Sequence, residues 1–248
     1  MLCAPALEAA ASDRKGCTMD NALSGAMMTE SSPAPLSAAR QIARLATGLR
    51  LDDIPEAVRT RAKLHILDAL GLGLASTAQD YGQVTVAAVA AMGEGSACSV
   101  IGRSERLGPR DAALANGVLI HGLDFDDTHL ASIIHPTCTA LPAALALGES
   151  LDATGADLLA AFIAGAETGI RIGLAVDGGF HHVGYHASGV VSHFASAVTA
   201  GMLLGLDEDA LTAAQGIAAS TASGVQVFLE DGAWTKRMHP GWAAAAGL

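Results

Sequence analysis

From Leu36 onward, signals that open helices recur, and no alternating strand pattern interrupts them. Asp52-Asp53-Ile54-Pro55-Glu56 supplies a cap, a first-turn proline and a first-turn acid. Pro109-Arg110-Asp111 and Pro136 repeat the theme, and Asp207-Glu208-Asp209 sets carboxylates against the positive end of a helix. Between these signals apolar residues fall at three- and four-residue spacing, as at Ile42, Leu45 and Leu49. The core must be aliphatic and rich in alanine, because hydrophobic residues make up 51% of the chain and aromatic ones only 4%. Alanine and leucine favour close-packed helices. The pattern therefore predicts an all-α fold, with strands at most as small additions. Helices are expected over 36–49, from 56 to about 72, and over 83–92. Further helices are expected after Pro109, after Pro136, and over 152–176, 188–204 and 207–222. Only 97–101 reads as a strand or an extended turn.

Charge and cysteine usage narrow the function classes. The net charge is −11, from 14 Lys and Arg against 25 Asp and Glu, with no basic stripe, so nucleic acid is not an expected partner. Cys3, Cys17, Cys98 and Cys138 lack the spacing of a zinc site or a disulfide framework, which points to reduced thiols and a cytoplasmic protein. The most membrane-like stretch, 158–176, carries Glu167 and Arg171 and reads as a buried helix, so no membrane partner is expected. Residues 1–35 differ in composition and read as a disordered leader or an over-extended start, with Met19 and Met28 as other candidate starts. Residues 36–248 then form the helical domain. The apolar run 243–248 opens a helix without closing it, so the domain is expected to continue in a longer protein.

One segment concentrates chemistry in this apolar chain: His121-Gly-Leu-Asp124-Phe-Asp126-Asp127-Thr128-His129, followed by His135-Pro136. Asp124 and Thr128 are four apart and share a face on a helix or tight turn. Asp126 and Asp127 read first as caps on a helix start, and Asp124 reads as the deeper of the three acids. His135 precedes a proline, which restricts it to extended backbone at a helix entrance, where its ring can face a cleft. Eight of the nine histidines lie between His121 and His239, so a site assembled from several segments is expected. His186 stands at another helix start, where backbone amides favour anions. His181, His182 and His129 read as peripheral. Lys236 is one of three lysines against eleven arginines and sits in Trp234-Thr-Lys236-Arg237-Met-His239-Pro240-Gly241, as a candidate base or carboxylate anchor. The aspartate run loosely resembles the magnesium-binding clusters of all-α prenyl synthases, but no second acidic cluster accompanies it, and no metal is expected.

Taken together, 61–76, 116–149, 184–206 and 222–248 resemble the MmgE/PrpD family, which includes 2-methylcitrate dehydratase, cis-aconitate decarboxylase and iminodisuccinate epimerase. The resemblance covers 36–248. It implies a helical domain paired with a smaller α/β lid domain, which this chain would lack, and a site between the two. By the same resemblance Asp124, Thr128, His135, His186 and Lys236 are catalytic, and His239 and Ser188 contact substrate. It further implies a cofactor-free homodimer acting on a small di- or tricarboxylate. The expected reaction is that of a 2-methylcitrate dehydratase of propionate catabolism: proton abstraction beside a carboxylate, then loss of water. An epimerase or decarboxylase of the family is the alternative, as is a helical fragment without catalytic competence. Ser188 and Ser192-His193 depart from the family pattern, in which a threonine and then a glycine follow the histidine.

Overall fold

A computed structural model describes residues 36–248. The leader expected over 1–35 lies outside the described residues. Among these, eleven α-helices and one short hairpin form the fold, as the helical spacing predicts. Helix α1 (Ala38–Gly48) starts where the Ser37 hydroxyl accepts from the Arg40 amide at 3.3 Å. A 3-10 turn (Leu51–Asp53) and Pro55 lead into α2 (Glu56–Ser76), and α3 (Asp80–Met92) follows. The extended segment becomes β1 (Cys98–Ser99), antiparallel to β2 (Arg106–Leu107). Then come α4 (Pro109–His121), α5 (Pro136–Ser150), α6 (Gly155–Val176), the short α7 (Gly179–His182) and α8 (Ala187–Leu203). The chain continues through α9 (Glu208–Thr221), the short α10 (Phe228–Asp231) and α11 (Thr235–Gly247).

The centre of the fold is a packed set of α4, α5 and α8, whose alanines, valines and leucines are buried nearly without exception. Helix α6 lies against α5 and α8. By length and composition it is apolar enough to cross a bilayer, but half of its most apolar window is buried inside this fold, as expected for a core helix.

Close approach of α11 to α4 and α8 decides where the late residues go. A Cβ on Gly117 would collide with the Gly241 backbone, and one on Gly241 would collide with the Leu114 carbonyl. The glycines let two helix backbones touch, which small residues alone permit. That crossing brings the first turn of α11, with Lys236 and Arg237, against a segment more than a hundred residues earlier.

The aspartate run departs from expectation. Helix α4 ends at His121, and 122–135 is a loop closed by a bridge between His129 and Ile134. Asp124 therefore does not share a helical face with Thr128. Its backbone takes a left-handed conformation, with φ 61°. Aspartate tolerates this better than most residues and competes poorly for helix interiors, which is why a run of acids ends the helix.

Candidate active site

Three helix entrances converge. Pro136 holds His135 extended (φ −101°, ψ 93°) immediately before α5, and His186 is likewise extended (φ −78°, ψ 107°) before α8. Neither ring caps its own helix, so both are free to face inward. The His135 amide donates to the Ser188 hydroxyl at 3.0 Å, which ties the two entrances together. The third entrance is that of α11, with Lys236 in its first turn. A cavity of about 140 Å³ lies between them, lined by Thr128, His135, His186, Ser188, Phe228 and Lys236 among others.

The outer wall is charged and partly exposed. The Lys236 ammonium lies 2.6 Å from both Asp124 carboxylate oxygens. Their side chains are 27% and 48% exposed. A pair this open contributes only about 0–1 kcal/mol to stability, so its significance is where it puts charge. His135 Nε2 is 3.5 Å from Asp124 Oδ1, and Thr128 Oγ1 is 3.4 Å from His135 Nδ1.

The inner wall is dry. The Asp126 side chain is 1% exposed, and His121, the last residue of α4, is fully buried against it. His121 Nδ1 is 3.1 and 3.0 Å from the two Asp126 oxygens. His135 Nδ1 is 3.3 Å from Asp126 Oδ1 and 3.2 Å from the Asp126 carbonyl. Burial works to raise the Asp126 pKa, but the hydrogen bond and charge of His121 and the charge of His135 outweigh it, and the carboxyl stays below its ordinary range.

His186 sits in the opposite environment. It is buried, its ring stacks on His121 at 5.5 Å, and its Nδ1 is 3.1 Å from Nδ1 of His239. Burial, then the neighbouring His121, His239 and Lys236, holds it far below the usual histidine pKa. His239 is pushed down to about 4, by burial first and by His121 next. These imidazoles are neutral near pH 7.

Several expectations need correcting against this geometry. Asp126 caps no helix; it is the most buried acid of the run, and Asp124 is the most open. Asp127 does cap: its Oδ1 accepts from the Thr137 amide of α5 at 3.1 Å, and its Oδ2 lies 3.6 Å from His65. His239 stands behind His186, outside the lining of the cavity. Ser188 spends one lone pair on the His135 amide while still lining the cavity. His181, read as peripheral, lines the cavity, and His182 is exposed. His121 and Asp126 are the members that residue spacing missed. The available signal was a titratable residue closing the apolar, buried last turn of α4, after Val118, Leu119 and Ile120.

One ligand atom from each of His121, Asp124, Asp126 and His135 lies within 4.8 Å of the others, so by distance the four could hold a metal. The protein's own groups already serve these acids, since Lys236 is paired with Asp124 and the His121 ring is hydrogen-bonded to Asp126. The paired-cluster arrangement of a magnesium site is not formed by Asp124, Asp126 and Asp127, because Asp127 faces Thr137 and His65 instead.

Comparison with known proteins agrees with this set of segments. Residues 40–248 match the model of the MmgE/PrpD N-terminal domain. Cis-aconitate decarboxylase of Aspergillus terreus is 35% identical over 214 residues, covering 84% of this chain and 44% of the fungal protein. The proteins of the same name from Mus musculus and Homo sapiens are 31% and 34% identical, covering 86% and 81% of this chain and 44% and 42% of their own lengths. The chain thus spans less than half the length of these relatives.

Proposed function

The chain belongs to the MmgE/PrpD family, and we propose that it carries the acid–base wall of a lyase that decarboxylates a small tricarboxylate of the cis-aconitate kind. The observation that carries this reading is His135, set between Asp124 and Asp126 at the edge of a cavity that also presents Lys236. Loss of carbon dioxide leaves an electron pair on carbon, and a proton must arrive there. An imidazole is suited to exchange that proton near neutrality. Such a group contributes about 10²–10⁴-fold to rate.

Electrostatics choose between the two candidate histidines. His135 sets its two ring nitrogens beside two carboxylates, at 3.5 Å from Asp124 and 3.3 Å from Asp126. A protonated His186 would be buried among imidazoles and an ammonium. His135 is therefore the proton-exchanging group, and His186 a neutral hydrogen-bonding one. Lys236, as a cation already paired with a carboxylate, anchors a substrate carboxylate and stabilises developing negative charge. Thr128 and Ser188 orient the substrate.

The dehydration first expected shares proton transfer beside a carboxylate. The names of the relatives favour decarboxylation as the end point. The homodimer and the absence of a cofactor are kept as part of the proposal. The test is to give cis-aconitate and 2-methylcitrate separately to the full natural protein, with and without EDTA. Carbon dioxide release from cis-aconitate, insensitive to EDTA, is the expected result. New double-bond absorbance from 2-methylcitrate alone would replace decarboxylation by dehydration, and inertness toward both acids would overturn the proposal.

A further inference from the structure

We propose that Asp126 is the positioning residue that decides which nitrogen of His135 exchanges protons, with His121 as the second anchor of its carboxylate. Three acceptor-capable atoms surround His135 Nδ1: the Asp126 carbonyl at 3.2 Å, Asp126 Oδ1 at 3.3 Å and Thr128 Oγ1 at 3.4 Å. Two of them belong to Asp126 and cannot donate when the carboxyl is ionised. The hydrogen is assigned from this network to Nδ1. In the neutral ring the lone pair then sits on Nε2, beside the carboxylate that Lys236 holds at the mouth of the site. A proton arriving at His135 or leaving it does so at Nε2.

His121 makes the device rigid. With 1% of its side chain exposed, Asp126 depends on protein N–H groups for its hydrogen bonds. His121 reaches it from the end of α4, the most completely buried entrance to the loop. Nδ1 of His121 faces both oxygens and carries a hydrogen for the same reason as Nδ1 of His135, while its Nε2 is buried without a partner. One carboxylate thus holds two imidazoles in one orientation, and only His135 of the two reaches the cavity.

The tautomer is a property of the resting chain, and only its use in turnover rests on the function proposed above. Nitrogen NMR of the ring nitrogens, with His135 assigned through the signals lost in His135→Ala, reads it directly in the substrate-free protein. A protonated Nδ1 and a bare Nε2 are expected in the neutral ring. Asp126→Asn, which can present an N–H to the ring, is expected to move His135 toward the Nε2–H form. In the full natural protein it should lower kcat by about 10³–10⁴-fold while KM changes by less than about threefold, as when a histidine-orienting acid is amidated in a hydrolase triad. An Nε2–H tautomer in the unmodified protein overturns the proposal, even if the variant does not fold. So does an Asp126→Asn protein that keeps both tautomer and rate. The expected tautomer in a protein inert toward both acids would sink the function and leave the positioning role standing.

Discussion

The entrances of α5 and α8 are built alike and have opposite electrostatics. Each places a histidine in extended backbone immediately before a buried helix, with its ring turned away from its own helix end. At α5 the loop from α4 brings Asp124 and Asp126 to His135 and lends Asp127 to the first turn. At α8 the late segment brings His239 and Lys236 toward His186, and the other side is His121. The same local device faces carboxylates in one case, and in the other it is buried among imidazoles and an ammonium, where a positive charge is penalised. What a histidine can do here is set by what distant segments carry to it.

The comparison breaks most sharply by deletion. His135→Ala should lower kcat by about 10²–10⁴-fold with the thermal melt unchanged, and near-wild-type turnover in steady-state assays would remove His135 from the chemistry. Lys236→Met should follow, lowering kcat/KM by about 10²–10³-fold as an electrostatic anchor is lost, checked by the same kinetics. His186→Gln keeps a neutral hydrogen-bonding group, so a loss of only about tenfold is expected, the worth of one hydrogen bond. A collapse as deep as that of His135→Ala would show that His186 must carry charge after all.

Acid should expose the α8 side in the stability curve. His239 has its folded pKa depressed to about 4, from an unfolded value near 6.5, and His186 is depressed further. Below pH 6.5 the unfolded chain binds protons that the folded chain refuses, so stability falls as pH drops from about 6.5 toward 4. The Asp126 carboxyl is likewise held below its ordinary range and also costs stability in acid, but only below about 3.8, where the unfolded carboxyl takes up its proton. Asp127, raised by burial, opposes the trend weakly near the bottom of the window. Melting temperatures of His239→Gln against wild type should show a flatter pH dependence for the variant. The smallest effect belongs to the α5 cap: Asp127→Ala should cost about 1 kcal/mol in denaturant titration, since it leaves the Thr137 amide without its acceptor.

The helical class, most helix starts and the buried nature of α6 were legible in periodicity, prolines and acids, because these signals act over one or two turns. So was the expectation that His135 stands extended before Pro136, a steric effect of the next residue. Asp126 was misread because a cap and a buried ligand of two imidazoles look identical in a run of acids. The same limit applied to Asp124, judged deep from its apolar neighbours and found paired with Lys236 at the mouth.

By itself, then, the sequence determined which residues were available and which helices would form, and through its combined segments the family to which they belong. Tertiary structure alone decided that His121 shares Asp126 with His135, that His186 is kept neutral, and that Lys236 meets Asp124 across 112 positions. Burial and partnership come from packing between helices far apart in the chain, and the glycine contact of α4 with α11 that creates the last of these pairs has no local signature.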